Sequence, residues 1–156
     1  FGGTIQLHSI PREGTTVEIT LPRSEPPPWF APEITVSFNT EIAILDDDNS
    51  VHCAWNQRLL AVSEHLTIHH FTTIQAFANW YILQLNPIQI FFDYDLVHES
   101  KTGLDVLESL KLENQAILVT SYYENPAIIA RCQKASIRLL PKSLLTYIPI
   151  NLSKVL

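Results

Sequence analysis

Short apolar runs recur between residues 42 and 140, and segments of helix length separate them. Runs of this kind are typical of strands that are buried on both faces of a parallel sheet. The alternation therefore predicts an α/β fold with a parallel sheet. A further strand is expected over residues 66–71. The four apolar runs cover residues 42–45, 88–92, 116–119 and 137–140.

Helical periodicity fills the first two intervals between the strands. The pattern predicts a helix over about residues 49–63, with Val51, Trp55, Leu59 and Val62 on one face. The second helix has the cleanest period and follows the capping pair Thr72-Thr73. Its predicted inward positions are Ile74, Phe77, Ala78, Tyr81, Ile82 and Leu85.

The helical pattern continues in the second half of the chain and then weakens. A third helix is predicted to begin near Gly103, and a fourth covers about residues 125–134 with a proline in its first turn. After Lys142 the periodicity degrades, and Pro149 predicts a short or irregular fifth helix. The inward residues of the third helix are expected to be Leu104, Leu107 and Leu110.

Two alternating segments, residues 4–10 and 15–21, stand at the start of the chain. They predict a β-hairpin in which Gly14 takes a positive-φ turn position. Residues 24–40 are rich in proline and predict a stiff extended linker. Because the stretch Trp29–Phe38 is unusually apolar, we expect part of this linker to dock on a neighbouring surface.

Polar residues directly follow the apolar runs, where the carboxyl ends of parallel strands form a ligand-binding crevice. Carboxylates that converge there repel one another unless a cation joins them, and oxygen ligands suit Mg²⁺. A carboxylate nucleophile, a hard metal, a lysine and a threonine together suit phosphoryl transfer. Asp48 is better explained as a helix cap and is left out of the site. The remaining residues are Asp46, Asp47, Asp93, Asp95, Thr120 and Lys142.

The order of these residues resembles the receiver domain of response regulators in two-component signalling. The resemblance covers residues 41 to about 150 and rests on Asp46-Asp47, Asp93, Thr120-Ser121 and Pro141-Lys142. It implies a doubly wound (βα)5 flavodoxin-like domain with strand order 2-1-3-4-5, here assigned to residues 41–156.

The resemblance also implies a role for each site residue. Asp93 would accept a phosphoryl group from phosphohistidine, with Lys142 pairing with a phosphoryl oxygen and Thr120 donating its hydroxyl. Mg²⁺ would be held by Asp46, Asp47 and Asp93 and by the main-chain carbonyl of Asp95.

The chain departs from the family pattern in two places. The family usually has a proline after the lysine, whereas Lys142 is followed by Ser143. An aromatic residue commonly stands three positions before the lysine, and here that position is Leu139. We therefore expect output that does not use the usual rotation of an aromatic side chain.

Residues 1–23 resemble the last hairpin of a histidine-kinase ATP-binding domain, through Gly2-Gly3, Ser9, Gly14-Thr15 and Leu21-Pro22. The implied protein is a hybrid histidine kinase whose nucleotide-binding segments would lie upstream of Phe1. This chain is therefore not expected to bind ATP or to act as a kinase alone. The implied partner is a phosphohistidine on that kinase or on a histidine-phosphotransfer domain. The implied location is the cytoplasm, in a free kinase or at the cytoplasmic end of a membrane-anchored sensor.

The residues leave two other functions open. Ile90-Phe91-Phe92-Asp93-Tyr94-Asp95 resembles the motif of haloacid-dehalogenase phosphatases, with Asp93 as nucleophile and Asp95 as general acid and base. That assignment leaves Asp46 and Asp47 unexplained. A docking module that is never phosphorylated is the other alternative, and both Leu139 and the serine after Lys142 favour it.

The composition limits the kinds of partner that are expected for this chain. A net charge of −6 without a cluster of Lys and Arg argues against nucleic acid, and the apolar runs are too short to span a membrane. Cys53 and Cys132 are isolated and are expected to be buried thiols of a cytosolic protein. The spacing of the six histidines does not indicate a zinc site, so exposed or hydrogen-bonded histidines are the better interpretation.

Several apolar residues follow the last predicted strand and are too many to leave in water. We expect them to pack either against a partner chain, which would give a homodimer, or against the linker stretch Trp29–Phe38. These residues are Leu144, Leu145, Tyr147, Ile148 and Ile150.

Overall fold

The computed structural model describes residues 2–86 and 88–153. It begins with an antiparallel hairpin of strands β1 (Thr4–Ile10) and β2 (Gly14–Thr20). Gly14 has a φ of +128°, which is the positive-φ position expected at the turn. The hairpin is therefore confirmed, and every residue of both strands is exposed.

A short strand β3 (Ile34–Ser37) precedes the central sheet. Within the described residues, that sheet consists of five parallel strands, in the spatial order β5-β4-β6-β7-β8. This is the predicted order 2-1-3-4-5 of a flavodoxin-like fold. The strands are β4 (Glu41–Leu45), β5 (Thr67–Phe71), β6 (Ile88–Asp93), β7 (Ala116–Thr120) and β8 (Arg138–Pro141).

The helices between these strands begin at residues that cap them. The side chains of Asp48, Thr73, Thr102 and Asn125 each accept a backbone N–H of the first turn. A short 3-10 helix, Leu60–His65, continues the first helix. The α-helices are α1 (Asn49–Leu59), α2 (Ile74–Tyr81), α3 (Gly103–Leu110) and α4 (Pro126–Lys134).

Each face of the sheet has its own hydrophobic core. On one face, residues of α2, α3 and α4 such as Phe77, Leu107 and Cys132 pack on the strands. On the other face, Trp55 and Leu59 of α1 pack beside residues of the linker and of the segment after β8. These residues include Ala31, Ile34, Val36, Leu145 and Ile148. Because both faces are covered, the central strands read as continuous apolar runs.

The linker and the C-terminal segment pack together. Strand β3 pairs in parallel with β9 (Ile150–Ser153), and Leu139 of β8 exchanges backbone hydrogen bonds with Trp29 and Ala31. A fifth α-helix is not formed in the described residues, where the 3-10 helix Lys142–Leu144 stands after β8. The expectations of a docked linker and an irregular end are both confirmed.

The helix boundaries and some buried positions differ from the prediction. The first α-helix ends at Leu59, and α2 ends at Tyr81 because the next bonds join residues three apart, as in a 3-10 turn. The predicted inward positions Ile82 and Leu85 are therefore exposed, at 76% and 98%.

Two further expectations of burial are wrong. The helix α3 ends at Leu110, because the next residue, Lys111, takes a left-handed conformation, and Leu110 therefore lies at the rim and is 39% exposed. Of the two cysteines, Cys132 is buried and Cys53 is exposed. In the part of the chain that the structure describes, no helix is long and apolar enough to cross a membrane.

Candidate functional site

Three strand ends bring acidic and basic side chains together at the carboxyl edge of the sheet. Asp46 follows β4, Asp93 ends β6 and Lys142 follows β8. The ammonium group of Lys142 reaches across the end of β7 and donates to both carboxylates, at 2.8 Å from Asp46 Oδ2 and 2.9 Å from Asp93 Oδ2. Asp46 and Asp93 are only 2% and 4% exposed. The ion pairs are therefore held in a largely buried position.

The acidic residues at the end of β4 are oriented by backbone N–H groups. The N–H of Asp48 donates to Asp46 Oδ1 at 2.9 Å, and that of Val97 donates to Asp47 Oδ2 at 3.0 Å. Carboxylate oxygens of Asp46, Asp47 and Asp93 all lie within 4.8 Å of one another. The structure thus brings together the three side chains that the sequence assigned to a metal.

This arrangement fits a hard divalent cation. The converging side-chain donors are carboxylate oxygens, which Mg²⁺ prefers. Three carboxylates against one ammonium leave a formal charge of −2, which one divalent cation would neutralise. The cluster also borders an open cleft of about 600 Å³, which leaves room for the waters that Mg²⁺ retains.

Burial and neighbouring charges shift the protonation of the central pair. Burial raises the pKa of Asp93 to about 6, the hydrogen bond from Lys142 opposes that rise, and the charge of Asp46 adds to it. Burial lowers the pKa of Lys142, but its hydrogen bonds to Asp46 and Asp93 outweigh burial and raise that pKa overall. At neutral pH the site therefore holds an ionised Asp93 beside a charged lysine.

The backbone of Asp93 lies in close contact with the start of α3. A Cβ atom on Gly103 would overlap the Asp93 carbonyl oxygen, far inside van der Waals contact. Gly103 also donates its N–H to the Tyr94 carbonyl at 2.9 Å. Glycine at this position thus permits the loop between Asp93 and α3 to close against the strand end.

The hydroxyl of Thr120 is enclosed rather than exposed to the cleft. Thr120 is fully buried, and its Oγ1 accepts the N–H of Tyr122 at 3.0 Å. The cleft wall beside it is formed by Ser121 and Tyr122. Asp95 lies on the same wall, and its Oδ2 accepts the Tyr122 hydroxyl at 3.3 Å.

Asp48 caps α1, as the sequence indicated. Its Oδ1 accepts the N–H of Ser50 at 2.7 Å, and the hydrogen bonds from Ser50 hold the pKa of Asp48 below its ordinary value. Asp48 nevertheless borders the cleft with Asn49.

Two residues of the site, Val97 and Tyr122, were not predicted from the sequence. Tyr122 could have been found, because it follows a strand end and has a polar side chain. Val97 contributes only its backbone N–H, which the pattern of side chains does not indicate.

Comparison with solved structures identifies the fold. The RcsB response regulator of Salmonella typhimurium matches at a TM-score of 0.59 and 17% identity, over 70% of this chain and 55% of that chain. A CheY-like receiver domain from Methanospirillum hungatei matches at 0.56 and 20% identity, over 67% and 82%. The beryllofluoride-activated receiver domain of DrrB matches at 0.52 and 16% identity, over 69% and 92%.

These structural neighbours are one response regulator and two receiver domains, and the chain has the fold that they share. The chain spans only about half the length of the RcsB protein that it matches. Comparisons with protein-family models and with curated protein sequences give no match.

Proposed function

We propose that this chain contains a receiver module that accepts a phosphoryl group on Asp93 in two-component signal transduction. One observation carries the proposal: Lys142 contacts two buried carboxylates, Asp46 and Asp93, at the edge of a cleft. A carboxylate held beside a fixed cation is equipped to attack phosphorus and to tolerate the charge that arrives with it. The receiver fold of the domain supports the same assignment.

The chemical step belongs to Asp93. One carboxylate oxygen attacks the phosphorus of a phosphohistidine, the phosphorus–nitrogen bond breaks, the imidazole leaves and an acyl phosphate forms. Because the pKa of Asp93 is about 6, most of the carboxylate is ionised and nucleophilic at neutral pH. Lys142 offsets the negative charge of the incoming group.

The remaining residues hold and orient the reacting groups. Asp46, Asp47 and Asp93 would hold Mg²⁺ together with the main-chain carbonyl of Asp95. When bound, Mg²⁺ supplies positive charge to the oxygens of the transferred group. We assign Thr120 as a hydroxyl donor to that group once the wall of Ser121 and Tyr122 moves aside, since Oγ1 accepts from the Tyr122 backbone and its own proton remains available.

We also propose a hybrid histidine kinase as the context of this module. In that arrangement residues 1–23 are the last hairpin of the ATP-binding domain, residues 24–40 are the linker and residues 41–156 are the receiver. The phosphohistidine of the kinase or of a histidine-phosphotransfer domain is the phosphoryl donor, and the module works in the cytoplasm. Nucleic acid and membrane surfaces are not among its proposed partners, and a homodimer remains a proposal.

A phosphatase of the haloacid-dehalogenase type is the weaker assignment. It requires Asp95 as general acid and base beside Asp93, but the Asp95 side chain is exposed and bonded to Tyr122. It also gives no role to Asp46, which is buried and paired with Lys142. The receiver assignment uses every member of this cluster.

A titration with Mg²⁺ and beryllofluoride, a phosphoryl mimic, tests the proposed site through tryptophan fluorescence. Trp29 is a suitable reporter because its carbonyl accepts the N–H of Leu139, in the strand that leads to Lys142. We expect saturation in the wild type that depends on both reagents. Asp93→Asn should abolish it and Asp95→Asn should retain it.

A phosphomonoester turnover assay beside this titration separates the alternatives. Turnover of a phosphomonoester that is lost in Asp95→Asn would favour the phosphatase. A wild type that binds neither Mg²⁺ nor beryllofluoride would contradict the receiver proposal and favour a docking module that is never phosphorylated.

A further inference from the structure

Two histidines that are distant in the sequence meet on the side of the sheet that α1 covers. His52 lies on α1 and His70 lies on β5, with ring centroids 4.8 Å apart and planes at 86°. Their Nδ1 atoms face each other at 2.8 Å. His52 is 8% exposed, whereas His70 is exposed to solvent. The pair is therefore anchored on one side and accessible on the other.

The hydrogen bond made by Nε2 of His52 determines which ring nitrogen carries the proton. His52 Nε2 stands 2.7 Å from the main-chain carbonyl oxygen of Asp46, which only accepts hydrogen bonds. Nε2 must therefore carry the proton and donate it. In the neutral ring this leaves a lone pair on Nδ1, aimed at His70.

The second ring is oriented in the same way. His70 Nε2 lies 2.9 Å from Asn56 Oδ1, and in the tautomer in which Nε2 donates to that oxygen, Nδ1 again carries a lone pair. Two facing lone pairs at 2.8 Å repel each other unless a proton or a metal ion lies between them. If the Asn56 amide is turned over, His70 carries its proton on Nδ1, and an incoming metal ion would displace that proton.

We propose that His52 and His70 form a binding site for a transition-metal dication such as Zn²⁺ or Co²⁺, with both Nδ1 atoms as ligands and water completing the coordination. Histidines that bind metals commonly donate their other ring N–H to a carbonyl or carboxylate oxygen; His52 does so here, and Asn56 Oδ1 stands at the matching position for His70. Imidazole nitrogen suits these ions, whereas the carboxylate cluster suits Mg²⁺. The chain thus offers two cation sites of different chemistry.

The geometry requires only a small adjustment. Bonds from zinc to imidazole nitrogen measure about 2.0–2.1 Å, so two ligands at a tetrahedral ion lie roughly 3.3 Å apart. The Nδ1 atoms at 2.8 Å would separate by about half an ångström, which the exposed ring of His70 permits. Burial and the nearby His52 and His69 lower the pKa of His70, which favours the neutral ring that binds metals.

The site is one hydrogen bond away from the acidic cluster. His52 donates to the backbone of Asp46, whose side chain contacts Lys142. A metal ion on the histidine pair would keep that proton on Nε2 and so hold the Asp46 backbone in place. This makes the pair a second, separate position from which an ion stabilises the end of β4.

Cobalt absorption tests the proposal, with Mg²⁺ in excess so that the carboxylate cluster is occupied. We expect the wild type to bind one equivalent of Co²⁺, with visible ligand-field bands that Zn²⁺ abolishes. His70→Gln should weaken Co²⁺ binding at least about tenfold. The matched control is His8→Gln, because His8 is an exposed histidine of the hairpin and should leave Co²⁺ binding unchanged.

Three outcomes would overturn the site. These are the absence of ligand-field bands in the wild type, equal Co²⁺ binding by folded His70→Gln, and loss of binding in Asp47→Ala with retention in His70→Gln. The last outcome would place the ion on the carboxylates. His70 is exposed, so its substitution should keep the fold, and circular dichroism checks this.

Discussion

The charge balance around Asp93 is the central feature at the scale of residues. Asp46 and Asp93 are nearly inaccessible to solvent, and one ammonium group serves both. A buried carboxylate costs free energy unless it is paired, and here the pairing is incomplete, since burial still raises the pKa of Asp93. The buried charge of Asp93 thus lowers the free energy of unfolding, at a site that is suited to bind a further cation.

Removing the Asp93 charge should stabilise the protein at neutral pH without divalent cations. The pKa of Asp93 rises from 3.8 to about 6 on folding, so the folded state keeps a proton that the unfolded state has already lost. Stability therefore falls as the pH rises from 3.8 to about 6. We expect Asp93→Asn to gain about 1–2 kcal/mol in urea unfolding at neutral pH, after allowance for solvent screening.

The gain should vanish well below the ordinary pKa of an aspartate, where Asp93 is protonated in both states of the wild type. Asp95→Asn is the matched control, because Asp95 is exposed and should show little of this dependence. A destabilised Asp93→Asn at neutral pH would mean that the bond to Lys142 outweighs the cost of burial.

Gly103→Ala should destabilise the protein, although alanine usually favours a helix over glycine by up to about 1 kcal/mol. The new methyl group would overlap the Asp93 carbonyl oxygen and would push α3 away from β6. We expect a loss of at least about 2 kcal/mol in the free energy of unfolding, measured with urea. A variant as stable as the wild type would contradict this close approach.

At the scale of elements, the segment after β8 is the distinctive part of this domain. It forms a 3-10 helix and then β9, which pairs with β3 from the linker. Leu145, Ile148, Ile34 and Val36 complete the core on the α1 side. Arg58 of α1 also donates to the Ile148 carbonyl, so helix and C-terminal segment are tied together. The linker is therefore part of the packed domain.

Ile34→Ala should measure the contribution of the linker strand. Ile34 is fully buried and Thr35 is exposed, because neighbouring residues of a strand point to opposite faces. Ile34→Ala should lower the free energy of unfolding by about 2–4 kcal/mol. Thr35→Ala, the matched control, should change it by no more than about 0.5 kcal/mol. Equal, small effects in both variants would show that the strand is not docked in solution.

At the scale of the whole molecule, the sequence sufficed for the sheet and for the acidic cluster. Apolar runs buried on both faces mark parallel strands, and the residue after each run falls at one edge by topology alone. This is why the sequence alone predicts that Asp46, Asp93 and Lys142 converge.

Other features depend on contacts that leave no local pattern. The end of α2 at Tyr81 depends on how the chain leaves the helix. The helical spacing of apolar residues in the sequence continues to Leu85, beyond the end of the helix. The enclosed hydroxyl of Thr120 depends on the backbone of Tyr122. The approach of His52 to His70 joins two elements, so their spacing along the chain conveys nothing about it.

Magnesium should stabilise the entire domain, because an ion that binds only the folded state adds its binding free energy to folding. Three carboxylates within 4.8 Å are close enough to share one ion. We expect the melting temperature of the wild type to rise with millimolar Mg²⁺, and that of Asp47→Ala to rise much less. Indifference to Mg²⁺ in both proteins would contradict the proposed metal site.

Phosphorylation of Asp93 is the central step of the proposed function. The direct measurement is intact-protein mass spectrometry after incubation with phosphoramidate and Mg²⁺, followed by mapping of the modified peptide. We expect a gain of one phosphoryl group, labile to base, on the peptide that contains Asp93, and no gain in Asp93→Asn. An unmodified wild type, or a phosphoryl group that persists in Asp93→Asn, would contradict it.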